Sequence, residues 1–288
     1  MSLIGKQLWF LEKFGWLLSD RAFLKWKFRL LVGYRLDLKN PHSFNEKIQW
    51  QKLHDRNPLY TVLVDKNAVK DFVASRIGKE HVIPTIGVWK RASDIRFESL
   101  PEQFVLKCNH DSGSTVVCSD KSSLCVEEVC RSLDEAVSRN YYRNEREWAY
   151  KNIEPLVMAE KYMGDDIADY KFFCCDGKPE FMYVATDRQN PDEDTKFDFF
   201  DMDFNHLPVR NGHPNAVPVP ERPSCWEEMI RLAAVLSEGI PQVRVDLYQI
   251  DGHVYFGEYT FYHMGGLVPF EPRQWDFNFG EKMVLKNK

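Results

Sequence analysis

The strongest constraint on this chain is a pair of alternating segments near its C-terminus. They read Val243-Arg244-Val245-Asp246-Leu247-Tyr248 and Val254-Tyr255-Phe256-Gly257-Glu258-Tyr259-Thr260, joined around Asp251-Gly252. Side chains alternate between the two faces of a strand, so Arg244, Asp246, Glu258 and Thr260 share one face of a hairpin of even register. The Ile250-Asp251-Gly252 corner reads as a three-residue loop with Gly in the left-handed position, which sets Arg244 opposite Glu258. Two carboxylates beside a hydroxyl are oxygen ligands suited to Mg²⁺. A guanidinium next to them suits a phosphate or a developing anion. A solvated sheet face with an Arg–Glu cross-strand pair fits the same residues. The choice between the two turns on what the rest of the chain supplies.

The 288 residues are enough for a large core and one to three lobes, and 44% hydrophobic with 28% charged residues is an ordinary globular composition. A formal charge of −5 argues against general nucleic-acid binding, which needs a dense basic surface. The seven cysteines are odd in number and match no zinc spacing, so free thiols in a reducing compartment are expected. No segment reads as a signal peptide or a bilayer-spanning helix. Residues 1–40 interleave Trp9, Phe10, Phe14, Trp16, Phe23, Trp26 and Phe28 with seven Lys and Arg up to Arg35. The favoured expectation is a helix packing this aromatic stripe on the main body; contact with an anionic membrane surface is the alternative.

Ser43-Phe44-Asn45-Glu46 is a capping box opening a helix through about residue 53. Asp65 is expected to cap a helix that begins with Lys66. A strand is expected around 81–88, another over 104–108 with a partner at 115–118, and helices over 126–139 and 145–151. Residues 156–162 read as a buried strand. Two strands around Asp176-Gly177, one over 196–200, a Pro-rich loop over 208–224 and a helix over 226–238 follow. The sum is an α+β chain with a large antiparallel sheet.

Candidate ligand-binding residues lie at strand ends. Lys107 stands directly before the small, polar loop Asp111-Ser112-Gly113-Ser114, where backbone N–H groups could approach a phosphate. Lys66 at a helix start and Lys171 on a strand offer further positive charge. Glu160 closes an apolar strand, where a buried carboxylate needs a partner. Each also fits an ordinary surface charge. His110 and His263 flank the same loops and could touch a second substrate.

Taken in order, these residues resemble the ATP-grasp superfamily from about Asp65 to Thr260. The segments Asn40-Pro41-His42-Ser43-Phe44-Asn45-Glu46-Lys47, Val105-Leu106-Lys107-Cys108-Asn109-His110, Asp169-Tyr170-Lys171-Phe172-Phe173 and Val243-Arg244-Val245-Asp246-Leu247-Tyr248 are similar to its TupA-like branch, which is associated with bacterial surface-polysaccharide genes. The resemblance implies an ATP-grasp fold in which two α+β lobes hold a nucleotide. Residues 1–60 would form a helical extension, 61–100 an N-terminal or central lobe, 101–162 a small lobe with the phosphate loop, and 163–288 a C-terminal lobe with the metal site. It further implies that Lys66, Lys107 and Lys171 hold ATP phosphates, with Gly113 and Ser114 closing over them. Glu160, Lys161 and Tyr162 would lie along the adenine. Asp169, in preference to Asp165 or Asp166, would meet the ribose. Asp246 and Glu258 would hold Mg²⁺, with Thr260 where the superfamily has Asn, and Arg244 would steady an acyl phosphate.

The function this implies is an ATP-dependent carboxylate–amine ligase, cytoplasmic or at the membrane periphery, acting on a sugar acid in polysaccharide assembly. Residues 109–116 are expected to form a mobile lid over its site. A sugar kinase on the same site, a glycosyltransferase and an ATP-binding scaffold are the alternatives. The Asp201-Met202-Asp203 motif that a glycosyltransferase would use reads as a turn.

Overall fold

The computed structural model describes residues 2–165, 167–188 and 192–285. Its strands are β1 (Thr85–Trp89), β2 (Phe104–Cys108), β3 (Val116–Cys118), β4 (Val157–Lys161), β5 (Asp169–Cys175), β6 (Lys178–Thr186), β7 (Lys196–Phe200), β8 (Arg210–Asn211), β9 (Val243–Ile250), β10 (His253–Thr260) and β11 (Phe270–Glu271). The helices are α1 (Leu3–Phe14), α2 (Asp20–Leu31), α3 (Phe44–His54), α4 (Leu59–Val64), α5 (Val69–Ile77), α6 (Val126–Val137), α7 (Tyr142–Glu145), α8 (Trp226–Ser237) and α9 (Gln274–Lys282). Two antiparallel sheets dominate, with strand orders β1-β4-β2-β3 and β10-β9-β5-β6-β7.

Each sheet has its own core. The four-stranded sheet buries Phe104, Leu106, Val157 and Ala159 against Leu133 of α6. The five-stranded sheet buries Phe172, Met182, Val245 and Leu247 with Met229 and Leu232 of α8. Alternation explains β2, buried at Phe104, Leu106 and Cys108, whereas β5 and β6 are buried on both faces, with Phe172, Phe173 and Cys174 and then Phe181, Met182, Tyr183 and Val184 all inside. The α3 helix starts at the expected capping box, with Ser43 and Glu46 each accepting from the other's backbone N–H.

Several expectations are corrected. The region expected as a strand over 81–88 begins as a 3₁₀ turn at Lys79–His81, and β1 starts only at Thr85, past Pro84. The helix expected over 145–151 is interrupted by left-handed Arg146, which ends α7. Asp65 caps a turn, accepting from the N–H groups of Asn67 and Ala68, so Lys66 precedes α5 instead of starting it. The Asp201-Met202-Asp203 turn is as expected: Asp201 accepts from the Asp203 and Asn205 N–H groups.

The C-terminal hairpin differs most. Asp251 and Gly252 both have positive φ, 52° and 74°, and form a two-residue turn in place of the expected three-residue loop. From this turn the register runs His253↔Ile250 to Phe256↔Leu247. Continued unbroken, it would place Glu258 on the face of Val245. A β-bulge at Gly257 shifts the phase, giving Glu258↔Asp246 and Thr260↔Arg244. The four polar residues do share a face, but Arg244 sits opposite Thr260, and Asp246 opposite Glu258.

Candidate active site

A cavity of about 430 Å³ lies between the two sheets. The four-stranded sheet supplies Val105, Lys107, Val117, Glu160 and Lys161, and the five-stranded sheet supplies Lys171, Tyr248, Phe256 and Glu258. Apolar lining comes from Val82, Ile83, Met163 and Ile167, and five cations, Lys66, Lys70, Lys107, Lys171 and Arg188, line the same cavity. The loop at 111–115 borders the same space. Its Gly113 has φ +102° with open space beside the Cα, while Ser114 Oγ is committed within the loop, accepting from the Cys108 N–H and donating to Asp111.

Glu160 is the electrostatic centre of the small-sheet side. Its carboxylate is 2.6 Å from Lys70 Nζ and 2.5 Å from Lys107 Nζ. Burial alone would push its pKa up; the Lys107 and Lys70 ammoniums outweigh that and hold it below the usual value. Burial also lowers the pKa of Lys70, against the pull of Glu160. Lys66 Nζ donates to the Asp111 carbonyl at 2.5 Å and lies 3.9 Å from Glu258.

On the opposite wall Asp246 is fully buried and accepts from both Lys171 and Arg244. Burial works to lower the Lys171 pKa, but Asp169 and Asp246 together raise it, so the ammonium is retained. Glu258 is 35% exposed at its side chain and only loosely held, 3.4 Å from both Arg244 and Thr260. Arg244 also reaches Thr260 Oγ1 at 2.9 Å.

Behind Arg244 stands His263, whose ring is buried. Its Nδ1 accepts from the Arg244 guanidinium at 2.8 Å, and its Nε2 donates to Asn211 Oδ1 at 2.9 Å. Burial and the Arg244 charge hold His263 well below its usual pKa, consistent with a neutral ring carrying its proton on Nε2. The turn that presents it is held by α3: Gln49 and Lys52 donate to the Gly265 and Gly266 carbonyls.

Of the residues singled out from the sequence, Lys66, Lys107, Gly113, Ser114, Glu160, Lys161, Lys171 and Glu258 line the cavity. Arg244, Asp246 and Thr260 form the hydrogen-bonded layer next to Glu258. Asp169 is displaced from its expected role: it is fully buried and pairs with Lys171 and Arg188, out of contact with the cavity. The backbone N–H of Lys161 donates to the Pro84 carbonyl, so it is not free for a base edge. Tyr162 does not line the cavity, Asp165 is on the surface, and Asp166 lies outside the described residues. His110 is buried and bonds the Arg139 carbonyl, away from the cavity lining. Lys70 and Arg188 escaped the sequence reading. The spacing of Lys66 and Lys70, four apart, is the signal that finds the first; nothing local marks Arg188, whose pairing with Asp169 spans two strands.

The profile of the TupA-like ATPgrasp family matches residues 46–284. This chain belongs to the TupA-like ATP-grasp family. The α+β ATP-grasp fold follows, with the cavity between its two sheets. Solved structures similar to this TupA-like chain include the D-alanine–D-alanine ligase of Bacillus anthracis complexed with ATP, at 17% identity and TM-score 0.39 over 69% of this chain and 54% of that one. The L-amino acid ligase of Bacillus licheniformis matches at 13% identity and TM-score 0.47, over 85% and 56%. The D-alanine–D-alanine ligase of Helicobacter pylori matches at 14% and 0.44, over 78% and 62%. The chain thus spans 54 to 62% of the length of these three. No curated protein matches it by sequence. Among the described residues no helix is long and apolar enough to cross a membrane.

Proposed function

We propose that this chain is an ATP-dependent carboxylate–amine ligase that works through an acyl phosphate, joining a sugar acid to an amine or amino acid in bacterial surface-polysaccharide biosynthesis. The observation that carries the ligase reading is one cavity lined by Lys66, Lys70, Lys107, Lys171 and Arg188, with Glu258 facing in and Asp246 in register behind it. Five cations in one cleft, two of them touching Glu258 and Asp246, suit a polyphosphate with a divalent ion; an ordinary solvated sheet face would not gather them so. Apolar side chains such as Val82, Ile83 and Phe256 give a planar base its surface. The sugar acid and the pathway rest on the family resemblance, and a cytoplasmic location fits a reaction that consumes ATP.

Glu258 fits the role of a Mg²⁺ ligand as it stands. Glu258 is exposed to the cavity and loosely held, so its oxygens can leave their long contacts for a cation. Asp246, whose two oxygens accept from Arg244 and Lys171, would serve as a second ligand only by exchanging one of those contacts, and Thr260 Oγ1 lies beside Glu258. Among the described residues no group of three or more His, Cys, Asp and Glu side chains is disposed to hold a metal ion. When bound, Mg²⁺ would neutralise the transferring phosphoryl group.

The substrate carboxylate oxygen attacks the terminal phosphorus and ADP leaves; the amine then attacks the acyl carbon and phosphate leaves. Lys66, Lys107 and Lys171 would take up negative charge along the triphosphate, and Arg244, held by His263 and Asp246 in the layer behind Glu258, would add positive charge on the acyl phosphate side. The loop at 109–116 would close over the site to exclude water. Incubation with ATP, Mg²⁺, a panel of uronic acids and amino acids tests the reading. It requires acceptor-dependent ADP and an amide product. A phosphorylated sugar would identify a kinase instead, and AMP, or no nucleotide turnover with any acceptor, would overturn the ligase.

A further inference from the structure

We propose that the exposed aromatic tip formed by residues 3–17 docks this chain on an anionic lipid bilayer surface. The aromatic stripe expected to pack on the main body does so only in α2, where Phe23 and Phe28 are buried. The α1 helix packs chiefly on α2 and the turn Gly15–Leu17, and Leu11 is its one buried residue. Fifteen large apolar side chains are exposed among the described residues, and seven of them fall between Leu3 and Leu17, where the Phe14 ring packs against both Trp9 and Phe10. Leu3 is 74% exposed, Trp16 72% and Leu17 63%.

The patch is arranged as an interfacial helix. At helical spacing Leu3, Phe10 and Phe14 align along one stripe, Lys6 and Lys13 fall together on one flank, and Glu12 falls on the far side. Basic residues beside aromatic ones are the composition that sits at headgroup level, where rings enter the acyl boundary and ammoniums meet lipid phosphates. Charge agrees in sign: the tip itself, residues 3–17, holds Lys6 and Lys13 against Glu12. It belongs to a segment, residues 1–40, with eight Lys and Arg against three Asp and Glu, a net of +5 within a chain of net −5. A two-fold contact between copies would instead set these basic flanks against each other. The tip is also held in place from behind. Arg146 donates to the Gly15 carbonyl at 2.9 Å and stacks over the Phe23 ring at 4.2 Å, so Trp16 and Leu17 project from a braced turn. Little ordering remains to be done on docking.

This inference does not rest on the ligase reading, and its test needs no substrate. The full chain is mixed with phosphatidylcholine vesicles with and without phosphatidylglycerol, and partitioning is read by sedimentation and tryptophan emission. Binding is expected only where phosphatidylglycerol is present, falling about tenfold or more in high salt as the basic flank is screened. The double variant Trp16→Ser/Leu17→Ser is expected to lose at least about tenfold in partitioning with an unchanged melting temperature. Val217→Ser, at an exposed apolar site outside the patch, is expected to bind as the parent does. Absence of binding to anionic vesicles, equal binding to both vesicle types, or full binding by the double variant would overturn the proposal. So would a dimer in sedimentation equilibrium that the double variant dissociates, since that assigns the patch to a second copy.

Discussion

Two buried side chains carry the site's pH dependence, and they act in different windows. Glu160 has a folded pKa below its ordinary 4.5, so its stabilisation is present above that value and is lost as pH falls through the depressed folded pKa. Glu160→Gln leaves Lys70 and Lys107 without their counter-charge and is expected to cost about 3 kcal/mol at neutral pH. The cost should vanish in acid, where the parent is protonated as well; a constant difference from pH 7 to 3 in urea titrations would refute the pairing. His263 has a folded pKa well below 6.5, so the unfolded chain binds the extra proton and stability falls as pH drops below about 6.5. His263→Phe keeps the ring contacts with Phe173 and Phe270 but removes both hydrogen bonds. It should cost about 1–3 kcal/mol and flatten the slope just below pH 6.5. In the ligase assay kcat should fall with the KM for ATP unchanged, because the ring acts through Arg244. A lone histidine in Tyr262-His263-Met264 carries no such information in sequence: Asn211 and Arg244, its partners, are 52 and 19 residues away.

Among the elements, the β9–β10 hairpin depends on one residue. The face shared by Arg244, Asp246, Glu258 and Thr260 was legible from alternation, but two departures from the expected geometry had to cancel to produce it. The turn is a residue shorter than read, and the bulge adds the residue back. Gly257 is needed there by close approach: a Cβ would meet the Tyr248 ring at 2.9 Å and the Asp246 carbonyl at 3.2 Å. Gly257→Ala is therefore expected to cost about 1–3 kcal/mol by overpacking. It should also displace Glu258, so that Mg²⁺-dependent nucleotide binding weakens more than stability does, as titration calorimetry would reveal. Retention of full nucleotide affinity would mean that the bulge is not what aims Glu258. Helix limits failed for a related reason. Left-handed Arg146 is set by its contacts with Phe23 and Gly15, which no window around residue 146 contains.

At the scale of the molecule, alternation in β2 and β10 and short apolar runs in β4, β5, β6 and β9 were enough to place most of both sheets. What periodicity could not supply was the partition into two cores, since β4 closes the small sheet only a few residues before β5 enters the large one. The cavity lies across that partition. Contacts beside it are few in kind: Val82 bridges Phe256, Lys66 N–H donates to the Asn109 carbonyl, and His81 Nδ1 meets the Val254 carbonyl at 2.7 Å. A nucleotide there would touch Lys107 and Glu160 on one sheet and Lys171 and Glu258 on the other, adding to these contacts. ATP with Mg²⁺ at about 100 times its Kd should thus stabilise the fold by about 2.7 kcal/mol. Because the smaller core has fewer buried groups, its local opening is the motion most suppressed. Hydrogen exchange should slow more over β2, β3 and β4 than over β6 and β7, and Glu258→Gln should abolish the Mg²⁺-dependent part while leaving the apo pattern intact. Uniform slowing over both sheets would place the nucleotide outside the cleft.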